Sequence, residues 1–275
     1  GLGMPDRDYY LNEDERSQKM RDAYKTHVKN MFKLIGDNDA DAEKNMNAVF
    51  NLEKALATAS YTRVKLRDPE ANYHKLSLND LGKNTPGMNW KDMLKRMSVT
   101  GWDTLIVGQP EFFAEVANQL KSTPVSDWKN YLRWHTAHGA AAYLSSAFVN
   151  ESFSFYGKTL SGQKENKPRW KRVLNTVDGG LGELLGEMYV NKHFKGEAKT
   201  RMIGLVKNLQ ETYAARIQRL DWMSASTKEK ALKKLNAFML KIGYPDKWRD
   251  YSSVKIDKNS YVKNLTQIGA FEYKR

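Results

Sequence analysis

A mainly α-helical fold, a multi-helix lobe with long antiparallel helices and a small strand-containing insertion, is what this chain of 275 residues predicts. Three observations lead there. Apolar residues recur at steps of three and four over long stretches. Met202, Val206, Leu209, Tyr213, Ile217 and Leu220 form one stripe of a 3.6-residue helix, with Lys207, Gln210, Glu211, Arg216 and Arg219 on most of the remaining surface. Start and stop signals punctuate such stretches: Ser226 followed by Glu229 fits a capping box, and Gly243 followed by Pro245 fits a stop. Against this, a single run, Thr104–Val107, is β-favouring and bounded by Asp103 and Gly108. A lone strand is not stable, so it needs a partner.

Residues 178–243 are the predicted centre: a helix with a small-residue start, the long amphipathic helix and a third helix, with the rest packed around them. In chain order, residues 1–11 read as irregular, with Pro5 fixing its φ and Tyr9 and Tyr10 packing the segment down. Asn12 with Glu15 opens a helix whose apolar stripe is Met20, Tyr24, Val28, Met31, Phe32 and Ile35, closed by Gly36. A second helix spans 40–61 with Met46, Val49, Phe50, Leu52, Leu56 and Ala59 inward, and the short connection makes the two an antiparallel hairpin. Residues 67–101 break into short pieces, with brief helices at 77–81 and 90–97. Thr123 and Pro124 start a long helix to about residue 156, buried on more than one side through Trp128, Leu132, His135, Ala142, Leu144 and Phe148. Residues 157–167, polar with two glycines and three lysines, read as a surface loop. Trp170, Val173, Leu174 and Val177 lead into the central helices, and a final helix begins near Lys258 and is left unpaired.

With 40% hydrophobic residues the chain can bury a sizeable core as one large domain or two smaller ones. The absence of cysteine excludes disulfides and thiolate metal sites. A formal charge of +13 invites a nucleic-acid reading, but the 45 basic residues are scattered among 32 acidic ones and never run to four in a row. Solvated surface plus a face for a missing partner is the better reading, with no nucleic acid; an acidic surface or membrane headgroups are a lesser alternative. No run of 18 apolar residues and no leader-like start is present, and the chain reads as a piece of a longer one.

Few residues suggest chemistry. His135 and His138 lie three apart on a helix, so they share a face and could hold a metal if a carboxylate or third histidine approached; a packing face is the simpler reading. Gly179, Gly180, Gly182 and Gly186 have neither the preceding strand nor the spacing of a dinucleotide fingerprint, and suit close helix approach instead. The carboxylate pairs Glu111 with Glu115 and Glu183 with Glu187 read as helical surface charges. Two acceptor-like tripeptides, at Asn150 and Asn264, are read as chance matches.

The order of LGELLGEMYV from Leu181, then NKHF, LDWM, TKEKALKKL and IGYPD, together with the opening GLGMPDRDYYL, resembles the non-catalytic portion of the neprilysin and endothelin-converting enzyme family of zinc metalloendopeptidases, over essentially the whole chain. The resemblance implies a helical lobe, residues 1–275, that faces a zinc lobe across a chamber and limits access to peptides, with residues 82–122 a small insertion toward the missing lobe. The family's catalytic His-Glu-x-x-His is absent, as the spacing of His27, His74, His135, His138 and His193 shows. The resemblance therefore implies no catalytic and no metal residue in this chain. Zinc belongs to the full-length enzyme, the partner is the C-terminal catalytic lobe of the same polypeptide, and the place is the envelope or exterior of a bacterium. A stand-alone basic helical binding module and a peptidase that has lost its zinc site remain open as alternatives.

Overall fold

The computed structural model describes residues 1–194 and 196–275 and is mainly α-helical, with one two-stranded sheet among those residues. The chain divides into two compact units, Gly1–Asn166 and Lys167–Arg275.

The first unit is organised by a helical hairpin. A single helical turn, α1 (Asp8–Leu11), precedes α2 (Glu15–Leu34) and α3 (Asp39–Ala59). The periodic stripes do bury: Tyr24, Val28, Met31 and Phe32 of α2 meet Met46, Val49 and Phe50 of α3 in one core with Met4 and Tyr10. Each such side chain contributes about 1.5–3 kcal/mol by leaving water. The caps differ from expectation. Asp14, not Asn12, caps α2, because its carboxylate takes the Ser17 amide at 2.9 Å while Asn12 ends α1 in extended backbone.

The expected lone strand has a partner that propensity does not reveal. His74–Ser77 (β1) pairs antiparallel with Thr104–Val107 (β2), His74 opposite Val107 and Ser77 opposite Thr104. The helix expected at 77–81 therefore starts one residue later and runs further, as α4 (Leu78–Asn84), with Ser77 as its cap through the Asp80 amide. Two more helices, α5 (Trp90–Arg96) and α6 (Pro110–Ser122), complete this region.

The expected long helix to residue 156 is broken. α7 (Val125–Ala140) gives way to a 3-10 turn, Ala141–Tyr143, and Leu144 is extended before α8 (Ser146–Ser152). A π-helix, Phe153–Leu160, then takes the first four residues of the expected loop. Its wider turn carries Phe155 and Tyr156 together against the core.

In the second unit, α9 (Arg169–His193) is one run with a kink at Leu181 (φ −131°, ψ 33°), where the sequence suggests a helix start. α10 (Gly196–Arg219) follows, and α11 (Ala225–Asn236) packs along it. Ser224 caps α11 by taking the Thr227 amide, so the capping box expected at Ser226 is displaced by two residues; α11 also stops at Asn236, well before Gly243. The last helix, α12 (Tyr261–Lys274), is not unpaired as the sequence suggests but packs on α9. A Cβ at Gly180 would stand 3.0 Å from Ile268 Cγ2, so the glycine permits the close approach that the small residues suggest. The stripe on α10 departs most from expectation: Met202, Leu209 and Tyr213 are half-exposed.

Candidate functional site

The densest polar constellation is one that sequence patterns do not single out. Glu53 falls in the apolar register of α3, four residues after Val49 and four before Ala57, and is completely buried. A buried carboxyl is costly unless its oxygens are satisfied. Here Oε2 accepts the hydroxyls of Tyr24 at 2.6 Å and Tyr10 at 2.8 Å, and Oε1 accepts Trp134 Nε1 at 3.2 Å. His135 Nε2 stands 3.1 Å from Oε1 but out of line for a hydrogen bond, and has no other partner among the described residues. Burial, then the neighbouring Glu53, push the Tyr10 and Tyr24 phenols well above their ordinary value, so both stay donors.

The same rings hold the start of the chain. Tyr10 Oη accepts the amides of Gly3 and Met4, Tyr156 donates to the Gly3 carbonyl at 2.8 Å, and Tyr131 donates to the Gly1 carbonyl at 2.7 Å. Any side chain at residue 3 would collide with the Tyr24 hydroxyl, since a Cβ there lies 1.8 Å from it. Glu53 is thus a closed hub that ties residues 1–4 to α1, α2, α3 and α7.

Around the hub His27 gives Nδ1 to Glu151 at 2.8 Å and stacks on Phe155 at 5.2 Å, while His138 stacks on Trp134 at 5.2 Å. Burial, then the nearby His27 and His135, lower the His138 pKa to about 4. This is where the structure places the pair read as possible metal ligands: His135 meets Glu53, and His138 meets aromatic faces. Among the described residues no three His, Asp or Glu side chains are arranged to hold a metal ion. His135 and His138, each turned to a different partner, do not fit a zinc site.

The carboxylate pairs separate. Tyr61 donates to Glu111, and its phenol is pushed up to about 12 by burial and by that carboxylate, whereas Glu115 receives Gln119 at 2.7 Å. Glu183 is not a free surface charge: Oε2 accepts the Arg249 amide at 2.8 Å, Oε1 lies 3.1 Å from its guanidinium, and the same guanidinium reaches Glu272 at 2.6 Å. Of the four glycines, Gly180 and Gly186 face Ile268 and Trp248, and all four lie inside α9 instead of on a turn that follows a strand. Nearby, a groove of ≈ 660 Å³ is lined by Lys199, Ile203, Met239, Ile242 and Tyr244, with Lys199 bonded to the Tyr244 carbonyl and to Asp246.

Residues 1–245 match the N-terminal model of "Peptidase family M13". The chain belongs to peptidase family M13. Among M13 relatives, it is 28% identical to neprilysin-3 of Drosophila melanogaster over 100% of this chain and 37% of that protein. It is 28% identical to endothelin-converting enzyme 1 of Rattus norvegicus over 90% of this chain and 33% of that protein. A solved structure of the Mycobacterium tuberculosis zinc metalloprotease Zmp1, in its open state, superposes with a TM-score of 0.89 at 37% identity, covering 100% of this chain and 43% of that one. The chain therefore spans well under half the length of these M13 relatives, and the helical fold is that of their corresponding portion.

Proposed function

We propose that the chain is the helical, non-catalytic portion of an M13 metallopeptidase, that it forms one wall of a substrate chamber, and that it restricts access to peptides. Bond cleavage then belongs to the C-terminal half of the same polypeptide, where zinc would reside. The chain's own contribution is steric: rigid helices exclude water and folded proteins from the reacting bond. Residues 82–122 are assigned a role at the boundary with that half, and a bacterial envelope or exterior location suits the likeness to a mycobacterial enzyme.

One observation carries this reading. In a chain that spans 33–43% of these relatives, α10 leaves Met202, Leu205, Leu209 and Tyr213 half-exposed in one stripe. Contiguous exposed apolar surface marks a contact region. The stripe is where the C-terminal half docks. Calorimetric titration of this chain with that half, produced separately, tests the assignment. Binding is expected, and Met202→Asp with Leu209→Asp weakens it by at least about tenfold, since each buried apolar side chain is worth more than about 1.4 kcal/mol. Equal binding by the double variant would overturn the assignment of this face.

A further inference from the structure

The second unit carries a surface that the peptidase reading does not use. Between residues 222 and 241 stand five lysines, Lys228, Lys230, Lys233, Lys234 and Lys241, against one acid, Glu229. Lys228 is engaged, its Nζ bonded to the Gln218 carbonyl at 3.0 Å. Lys230, Lys233, Lys234 and Lys241 are exposed, and none has an ion pair among the described residues, whereas Lys199 in the same unit is tied to Asp246. Ala231, Leu232 and Leu235 take the less exposed side of α11, which packs along α10. The outward stripe is therefore cationic, with Lys230 and Lys234 four apart on it and Phe238 just beyond the end of the helix.

Large apolar groups stand free at both ends of this stripe. Trp222 is 74% exposed before α11, and Phe238 and Met239 are 57% and 81% exposed after it. A free phosphate would use the lysines and leave the tips in water. An anionic bilayer uses both, drawing the ammonium groups to its headgroups and burying the tips at the acyl boundary.

We infer that α11 with Trp222, Phe238 and Met239 is a peripheral docking surface for anionic lipid membranes. The test is co-sedimentation of the full chain with vesicles of phosphatidylglycerol and phosphatidylcholine, and with phosphatidylcholine alone. Binding is expected to the anionic vesicles only and to fall steeply with added salt. The variant Lys230→Glu, Lys233→Glu, Lys234→Glu, all on an exposed face, is expected to bind at least about tenfold more weakly. Phe238→Ser with Met239→Ser is expected to weaken vesicle binding while leaving binding to heparin, a soluble polyanion, unchanged. Equal binding to both vesicle types overturns the proposal. So does wild-type binding by the charge-reversed variant with its helical circular dichroism intact, or loss of that helical signal in the Phe238→Ser, Met239→Ser chain, which would put the tips inside the fold.

Discussion

Glu53 shows how one side chain can fix a fold's starting point. Removing its carboxyl strands two phenols and an indole without an acceptor, and each unsatisfied buried donor costs about 1–3 kcal/mol. Glu53→Ala is therefore expected to lower stability in urea unfolding by about 3–5 kcal/mol. Glu53→Gln, which keeps one accepting oxygen, should lose less, and a change within about 0.5 kcal/mol for the alanine variant would refute the hub. His138 sets a pH dependence. Its pKa falls from 6.5 in the free side chain to about 4 in the fold, so between those values the unfolded chain binds the extra proton. Its contribution to stability is complete above pH 6.5 and is lost as pH falls toward 4. His138→Phe keeps the stacking on Trp134 and should show a shallower fall in melting temperature over that range; identical slopes would contradict this. The hub is legible in part. Glu53 and His27 both sit in registers otherwise apolar, and a polar side chain in such a register has to be satisfied from outside its own helix. What the chain does not disclose is the supplier, since Tyr10 and Trp134 lie 43 and 81 residues away.

The helical hairpin is readable because its stripes are long and regular, so the 3.6-residue period outweighs any single residue. Helix ends are less so. Asn12 and Asp14, or Ser224 and Ser226, offer two capping side chains within two positions, and only the local backbone decides between them. The interruption after α7 falls within the run Ala140–Ala142 despite its high helix propensity, and β1 is a His-Lys-Leu-Ser sequence that becomes a strand only because β2 is beside it. Packing of α9 on α12 makes a sharper forecast. Gly180→Val forces a branched side chain against Ile268 and should cost about 1–3 kcal/mol. Gly179→Ala, where a Cβ meets nothing within 4 Å, should be neutral or stabilise by up to about 1 kcal/mol. Equal effects from the two would mean that the helices do not approach each other at Gly180.

Across the whole molecule, the family is carried by the match along residues 1–245 and by the fold. The sequence pattern identifies the apolar stripe on α10 correctly but suggests that it is covered; periodicity identifies a face, and only the complete set of neighbouring elements determines whether it is buried. The proposed neighbour is the catalytic half of an M13 peptidase. The most direct test is hydrolysis of a short unstructured peptide, and of the same peptide embedded in a folded protein, by this chain, by the separately produced C-terminal half, and by their mixture, each with and without a zinc chelator. If this chain is the size-selecting wall of the chamber, the mixture alone cleaves the free peptide, chelator stops it, and the embedded peptide is spared. Cleavage by the C-terminal half alone at the rate of the mixture, with the embedded peptide cut as well, would contradict that role.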